Sequence, residues 1–307
     1  MRVLVIGADG FVGAHLVTHL RHAGDTVVEG IGPHGEDAAD RHPVDVRDAA
    51  RVAALVDQAR PDAIYHLAAV AYGPDASAEL ATAVATTVGG TANVLEAARN
   101  HDPLPTVLVP GSSEVYGAPG EDRITEAFPL RPVSLYGATK VAQESIALTF
   151  GRVHAMSVVV TRSFNHIGAG QRDSFAVASF AKQLRLIELG RANPILRVGN
   201  QAPVRDFSDV RDVVRAYRLL VAGRHAGEAV NVASGEGISI GELVDRLIAI
   251  SGLDVRIEVD PQRVRAGDPP RIVGDSSRLR RLTGWTPAIA LDETLRAVWA
   301  DAQSRTG

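Results

Sequence analysis

The sequence predicts an α/β fold, an open doubly wound parallel sheet with a smaller α/β lobe interleaved into its second half. Three observations carry this. Short apolar runs alternate with stretches of helical period over residues 2–162. Several runs, Val158-Val159-Val160 among them, are apolar at every position, as strands covered on both faces are. A turn with glycines at 7, 10 and 13 separates the first run from the first helix.

Residues 2–6 read as a buried strand. The following helix carries Phe11, Val12, Leu16, Val17 and Leu20 on one face and stops at Gly24. Strand, Gly-rich turn and helix together open a dinucleotide-binding βαβ unit. Gly7 permits the tight turn, Gly10 lets backbone approach a pyrophosphate, and Gly13 lets helix and strand pack closely, with the helix N-terminus facing the phosphates. Strands are then expected at 26–29, 44–46, 63–69, 106–111 and 156–162. Helices are expected at 48–59, 79–99 and 136–150. Ligands of such sheets lie at the carboxyl ends of the strands, which gathers Gly7 to Gly13, Ala68-Ala69, Gly111 to Ser113 and Ser163 to His166 around one crevice.

Beyond Arg162 the pattern changes to a loop over 163–172 rich in Asn, His and Gly, a helix at 174–190, and strands at 195–198 and 204–207. The helix at 209–222 and the strand at 229–233 read as returns to the first unit. Ser239 with Glu242 has the spacing of a capping box. The expected division is a dinucleotide-binding domain over 1–162 with returns at about 207–233, and a second lobe from 163–206 and 234–307.

Composition narrows the function classes. Of 307 residues, 46% are apolar, 22% are charged and none is Cys, so disulfides and thiolate metal sites are excluded; no metal is expected. A net charge of −4 disfavours nucleic-acid or membrane-surface binding, and no apolar run approaches the roughly 20 residues needed to span a bilayer. Gly7, Asp9 and Gly10 interrupt the apolar start before a signal-peptide core forms.

The chain holds two lysines, Lys140 and Lys182, against thirty arginines. A Lys four residues after Tyr136 therefore does something Arg cannot. At i and i+4 of a helix the two side chains share a face. A nearby ammonium would lower the phenol from about 10 toward working pH and make it a usable proton donor.

Three clusters converge: Gly7-xx-Gly10-xx-Gly13, Gly111-Ser112-Ser113-Glu114-Val115-Tyr116-Gly117 and Tyr136-xxx-Lys140. Together they resemble the extended short-chain dehydrogenase/reductases that act on nucleotide-activated sugars. The resemblance spans essentially the whole chain, with further marks in His66-Leu67-Ala68-Ala69, Gly90 to Ala98, Val204-Arg205-Asp206-Phe207, Arg265 to Asp268 and Thr283 to Pro287. Within that branch, Arg162 to Gln171, Leu196 to Asn200 and Phe180-Ala181-Lys182-Gln183 are most similar to reductases of GDP-4-keto-6-deoxy-D-mannose. The chain departs from the family pattern at Thr87, where Asn is usual, and at Leu135, Ala169 and Ala266, where Pro is.

The resemblance implies a Rossmann-type fold and assigns roles. Tyr136 would be the general acid, Lys140 would hold the nicotinamide ribose, and Ser112 would bond the substrate carbonyl, although chemistry alone leaves Ser113 open. Cofactor contacts would come from Gly7, Gly10, Phe11, Val12, Gly13, Asp45, Val46, Leu67, Ala68, Ala69, Tyr136 and Lys140. Substrate contacts would come from Ser112, Ser113, Glu114, Asn165, His166, Lys182, Arg205 and Arg265, the two arginines clamping a diphosphate. The implied reaction is NADPH-dependent reduction of the C4 ketone of a GDP-linked 4-keto-6-deoxy sugar to GDP-D-rhamnose, in a cytoplasmic homodimer. A 4,6-dehydratase or 4-epimerase, or a non-catalytic cofactor sensor, are the competing readings. NADP(H) is expected over NAD(H), which stays possible. The window Ile31-Gly32-Pro33-His34 lacks the carboxylate that binds a ribose 2′-hydroxyl, and His34 or Arg41 could meet a 2′-phosphate.

Overall fold

A computed structural model describes residues 1–70, 77–120, 122–264 and 267–305. The strands of the main sheet are β1 (Arg2–Ile6), β2 (Thr26–Ile31), β3 (Arg41–Pro43), β4 (Ala63–His66), β5 (Thr106–Ser112), β6 (Val158–Ser163) and, after three strands of the second lobe, β10 (Ala229–Val232). They stand in the order β10-β6-β5-β4-β1-β2-β3, every pair parallel. The order reverses between β1 and β4, so the crevice of this sheet opens beside the Gly-rich turn that follows β1.

Both faces of the sheet are covered, as the uninterrupted apolar runs require. On one side α1 (Phe11–His22) contributes Leu16, Val17 and Leu20 to a core shared with β1. On the other, α2 (Ala49–Ala59) supplies Val52, Leu55 and Val56. Asp48 caps α2 by accepting from the Arg51 N–H. Behind β5 lies a segment that the periodicity reads as one helix. It is α3 (Leu80–Val84), a π-helical turn at Ala85–Gly89, and α4 (Gly90–Ala98). The long α5 (Leu135–Val153) packs beside it, started by the Ser134 side chain, which accepts from the Gly137 N–H.

The second lobe interleaves with this layer. Strands β7 (Asn165–Ile167), β9 (Val204–Asp209), β11 (Gly237–Ser239) and β13 (Arg271–Ile272) form one small sheet, and β8 (Ile195–Val198) pairs with β12 (Arg256–Val259). Helices α6 (Ala176–Glu188), α8 (Ile240–Ser251) and α10 (Leu291–Arg305) close around Phe180, Leu184, Leu243, Leu247, Leu295 and Trp299. Between the excursions, α7 (Val210–Ala222) returns to pack Val213, Tyr217 and Leu220 into the α1 core. A short α9 (Ser277–Thr283) lies beyond β13.

Three further expectations shift. The strand expected at 44–46 sits earlier, as β3. Val44 still donates to the Ile31 carbonyl at 2.9 Å, but Asp45 then accepts from the Arg47 N–H at 2.9 Å and bends the chain away. The loop expected over 163–172 contains β7, which pairs with β9. Ser239 accepts from the Glu242 N–H at 3.0 Å, while the Glu242 carboxylate goes to Arg246 at 2.7 Å instead of completing the capping box. Among the described residues, no helix is long and apolar enough to cross a membrane.

Candidate active site

The Gly-rich turn is built so that only glycine fits at two of its three positions. Gly7 has φ +87, and a Cβ there would stand 2.8 Å from the Ala68 nitrogen. At Gly13 a Cβ would lie 2.1 Å from the Gly7 carbonyl oxygen. Around Gly10 a Cβ would meet nothing nearer than that same oxygen at 3.3 Å, so this side of the turn is open to an incoming group. Gly10 is also the N-cap of α1 and offers no side-chain cap to the first N–H groups. An open, glycine-lined helix N-terminus at the sheet's switch point fits a dinucleotide pyrophosphate.

Leu67, Ala68 and Ala69 leave β4 beside this turn, with Leu67 and Ala68 both donating to the Ile6 carbonyl, at 2.8 and 3.1 Å. On the other flank, Asp45 is bound by the Arg47 guanidinium at 2.6 Å, which holds its carboxyl below the usual range, and the Val46 carbonyl accepts from Asn93 at 2.8 Å. Phe11, at the first turn of α1, stacks its ring on that of His166, centroids 6.1 Å apart and planes 6° apart.

At the carboxyl end of β5, Ser112, Tyr136 and Lys140 meet. The Ser112 side chain faces the Tyr136 phenol, and its hydroxyl accepts from the Glu114 N–H at 3.2 Å. Ser113 is buried. The Lys140 ammonium lies 6.0 Å from the centre of the Tyr136 ring and donates to the Pro110 carbonyl at 3.0 Å and the Gln143 side-chain oxygen at 2.9 Å. Burial pushes Lys140 down to about 8. The phenol moves opposite to the sequence-based expectation. Burial first, then the Glu114 carboxylate, hold it above its ordinary value and outweigh the lowering effect of the facing Ser112.

Behind Lys140 lies a polar network that the sequence reading did not assemble. Within the π-helical turn, the Thr87 carbonyl accepts from the Thr91 hydroxyl at 2.7 Å and from the Gln143 amide at 3.4 Å. A carbonyl cannot donate, so the Gln143 nitrogen faces Thr87 and its oxygen faces Lys140. Thr91 spends its one proton on Thr87. It therefore accepts from both Gln143 at 2.8 Å and His66 Nε2 at 3.0 Å, which fixes His66 as the Nε2–H tautomer. Burial pushes His66 down to about 3, so it is neutral. The one sequence signal for Gln143 was its place three residues after Lys140 on the same helix.

A sequence model of the family described as GDP-mannose 4,6 dehydratase matches residues 4–298. The chain belongs to this family of extended short-chain dehydrogenase/reductases. It is 36% identical over 306 residues to the GDP-6-deoxy-D-mannose reductase of Pseudomonas aeruginosa, covering 99% of this chain and 98% of that one. It is 31% identical to the dTDP-glucose 4,6-dehydratase of Streptomyces griseus, over 97% of this chain and 93% of that one. Among solved structures, RMD from Pseudomonas aeruginosa complexed with NADPH superposes with a TM-score of 0.89 at 34% identity, covering 99% of each chain. A Thermus thermophilus UDP-glucose 4-epimerase complexed with NAD reaches 0.86 at 28% identity, covering 99% of each chain.

For a member of this dehydratase family, the remaining predicted contacts divide. Glu114 lies beside Tyr136 and accepts from the Ser134 hydroxyl, the cap of α5, at 2.6 Å. Asn165 is exposed at the start of β7 and donates to the Asp206 carbonyl at 3.3 Å. His166 is turned toward the Gly-rich turn, its Nδ1 bonded to the Phe164 carbonyl at 3.0 Å. Lys182 is on α6 and pairs with Asp173. Arg205 on β9 pairs with Asp268 at 2.7 Å, and Arg265 lies outside the described residues. Arg263, which sequence reading passed over, donates to Ser179 at 3.2 Å one helical turn before Lys182. A tight approach marks it, because a Cβ at Gly199 would stand 2.5 Å from the Arg263 carbonyl oxygen.

Proposed function

We propose that the chain reduces the C4 ketone of a nucleotide-activated 4-keto-6-deoxy sugar, GDP-4-keto-6-deoxy-D-mannose giving GDP-D-rhamnose, with NADPH preferred and NADH usable. A reduced dinucleotide, its pyrophosphate held at the Gly-rich turn, would supply the hydride from its nicotinamide. Ser112 Oγ and Tyr136 Oη hold the carbonyl oxygen, and Tyr136 Oη gives it a proton as the alkoxide develops. Lys140, with two of its three N–H groups spent on Pro110 and Gln143, keeps the third for the ribose hydroxyls. The elevated phenol suits a donor, since Tyr136 stays protonated until the substrate oxygen takes charge.

The observation that favours a reductase is the state of Glu114. A carboxylate two residues after the catalytic Ser serves related dehydratases as a base at C5; here one of its oxygens accepts from Ser134 and so braces the start of α5, a structural task. Glu114 then shapes the pocket and moves no proton. The similarity to the Pseudomonas aeruginosa reductase supports the same choice. An intact Ser112–Tyr136 pair speaks against a mere cofactor sensor, which needs no proton donor. Turnover on GDP-, dTDP- and UDP-linked 4-keto sugars decides the matter. A reductase oxidises one reduced cofactor per product, whereas a dehydratase or epimerase regenerates its own. Water loss from GDP-mannose without net cofactor use would replace this reading with the dehydratase.

Arg205 and Arg265 fit the diphosphate, with Asn165 and Lys182 on the sugar-nucleotide side and His166 walling the cofactor side. A homodimer fits the exposed apolar side chains Leu80 and Val84 of α3 and Ile146 and Val153 of α5, which sedimentation of an Ile146→Glu variant tests. Its place is the cytoplasm, with the nucleotide sugars it uses.

A further inference from the structure

We propose that Asp9 tunes the choice between phosphorylated and unphosphorylated dinucleotides and keeps NADH usable, an inference that rests on the cofactor reading above. Dinucleotide sites of this fold place a carboxylate at the end of the second strand to accept the adenosine ribose 2′-hydroxyl. Residues 31–34 hold none. Yet Asp9, exposed in the Gly-rich turn after β1, reaches across to the end of β2, where its Oδ2 accepts from the Gly32 N–H at 3.0 Å. Among the described residues, that is the only hydrogen bond its carboxylate makes, which leaves Oδ1 available. The carboxylate missing from the window is thus delivered from the neighbouring strand's turn.

The charges around it bear on the same choice. Arg47 is held by Asp45, and His42 by Asp37 at 2.9 Å. Arg41, opposite Glu29 at the start of β3, makes no ion pair among the described residues and is left for a 2′-phosphate. A 2′-hydroxyl can donate to Asp9. A 2′-phosphate, carrying close to two negative charges, is repelled by it and drawn by Arg41. The two residues oppose each other, and Asp9 is the one that holds the NADPH preference down.

The test uses Asp9→Asn, whose side-chain oxygen still accepts from Gly32 and leaves the turn intact. Calorimetric titration of the full chain with ADP-ribose and with 2′-phospho-ADP-ribose reads the adenosine end without any turnover. In Asp9→Asn the ratio of the two dissociation constants should move toward the phosphorylated fragment by about tenfold or more. The kcat/KM ratio for NADPH over NADH should follow it. If both fragments bind the wild type and the ratio moves by less than about threefold in the variant, Asp9 has no such role and the cofactor site stands. If neither fragment binds the wild type, the cofactor reading falls and the role of Asp9 falls with it.

Discussion

Gln143 offers the sharpest test of how the site controls Lys140. The side chain is 1% exposed, and its oxygen is one of two acceptors that keep a buried ammonium charged. Gln143→Leu keeps the volume and deletes that acceptor. A hydrogen bond to a charged group is worth about 1.5–3 kcal/mol, and about 1.4 kcal/mol is one pKa unit. Lys140, at about 8 in the wild type, should therefore titrate roughly one to two units lower in the variant. Turnover needs the ammonium, so the loss grows with pH: about twofold or less near pH 6 and about five- to fiftyfold near pH 8. Gln143→Glu sets a carboxylate beside the same ammonium and should move the alkaline limb upward. The assay is a pH profile of kcat, followed by reduced-nicotinamide absorbance. Both variants losing activity in parallel at every pH, with the limb unmoved, would refute the argument and leave Gln143 a packing residue.

Tyr136→Phe should lower kcat by about 10²–10⁴ while dinucleotide binding measured by fluorescence stays near wild type, because only the proton donor goes. Lys140→Arg should fail in the same assay, since a planar guanidinium cannot copy the compact ammonium between Pro110 and Gln143. Lys140→Met should abolish turnover yet raise the melting temperature near neutral pH. An ordinary lysine at 10.5 and this one at about 8 differ by roughly 3 kcal/mol of destabilisation, part of which the two lost hydrogen bonds offset. That destabilisation is full below the folded pKa and relieved as pH rises from about 8 to 10.5, so wild type and variant should converge in stability over that window. Glu114→Gln should cost less than about tenfold in rate, because Gln still accepts from Ser134; a complete loss would restore Glu114 as a proton-transfer group.

What the sequence made legible follows from what repeats in it. β1, α1, β5 and α5 stand out because their apolar residues recur at the period of the element that buries them. The glycines at 7 and 13 are legible because any Cβ there meets backbone, a constraint that leaves a fixed spacing behind. The Tyr136–Lys140 pair is legible for the same reason, one turn of helix apart. Features set by tertiary contact leave no such trace. β7 is three residues long and exists only by pairing with β9. Asp9 reaches Gly32 across 23 positions, and nothing near residue 32 announces it. The direction of the Tyr136 shift was misread because spacing shows which groups are near, while burial and a facing carboxylate decide the sign.

Thr87 shows how a departure from a family pattern can leave the site's chemistry in place. The usual residue there is Asn, and its replacement puts in question whatever contact that position makes. In this chain the contact toward the site is carried by backbone. The π-helical turn at Ala85–Gly89 shifts the hydrogen-bond ladder by one residue, and the Thr87 carbonyl turns to Thr91 and Gln143 instead of serving the helix alone. A backbone carbonyl is the same whichever side chain accompanies it. The Thr hydroxyl then takes a local task, accepting from the Val70 N–H at 3.3 Å beyond the end of β4. From that carbonyl the order of donors and acceptors is forced step by step, through Gln143 to Lys140, whose third N–H has no acceptor among the described residues. What the position must preserve is therefore the turn, and a β-branched Thr, 0% exposed and bonded at both ends, preserves it without the amide.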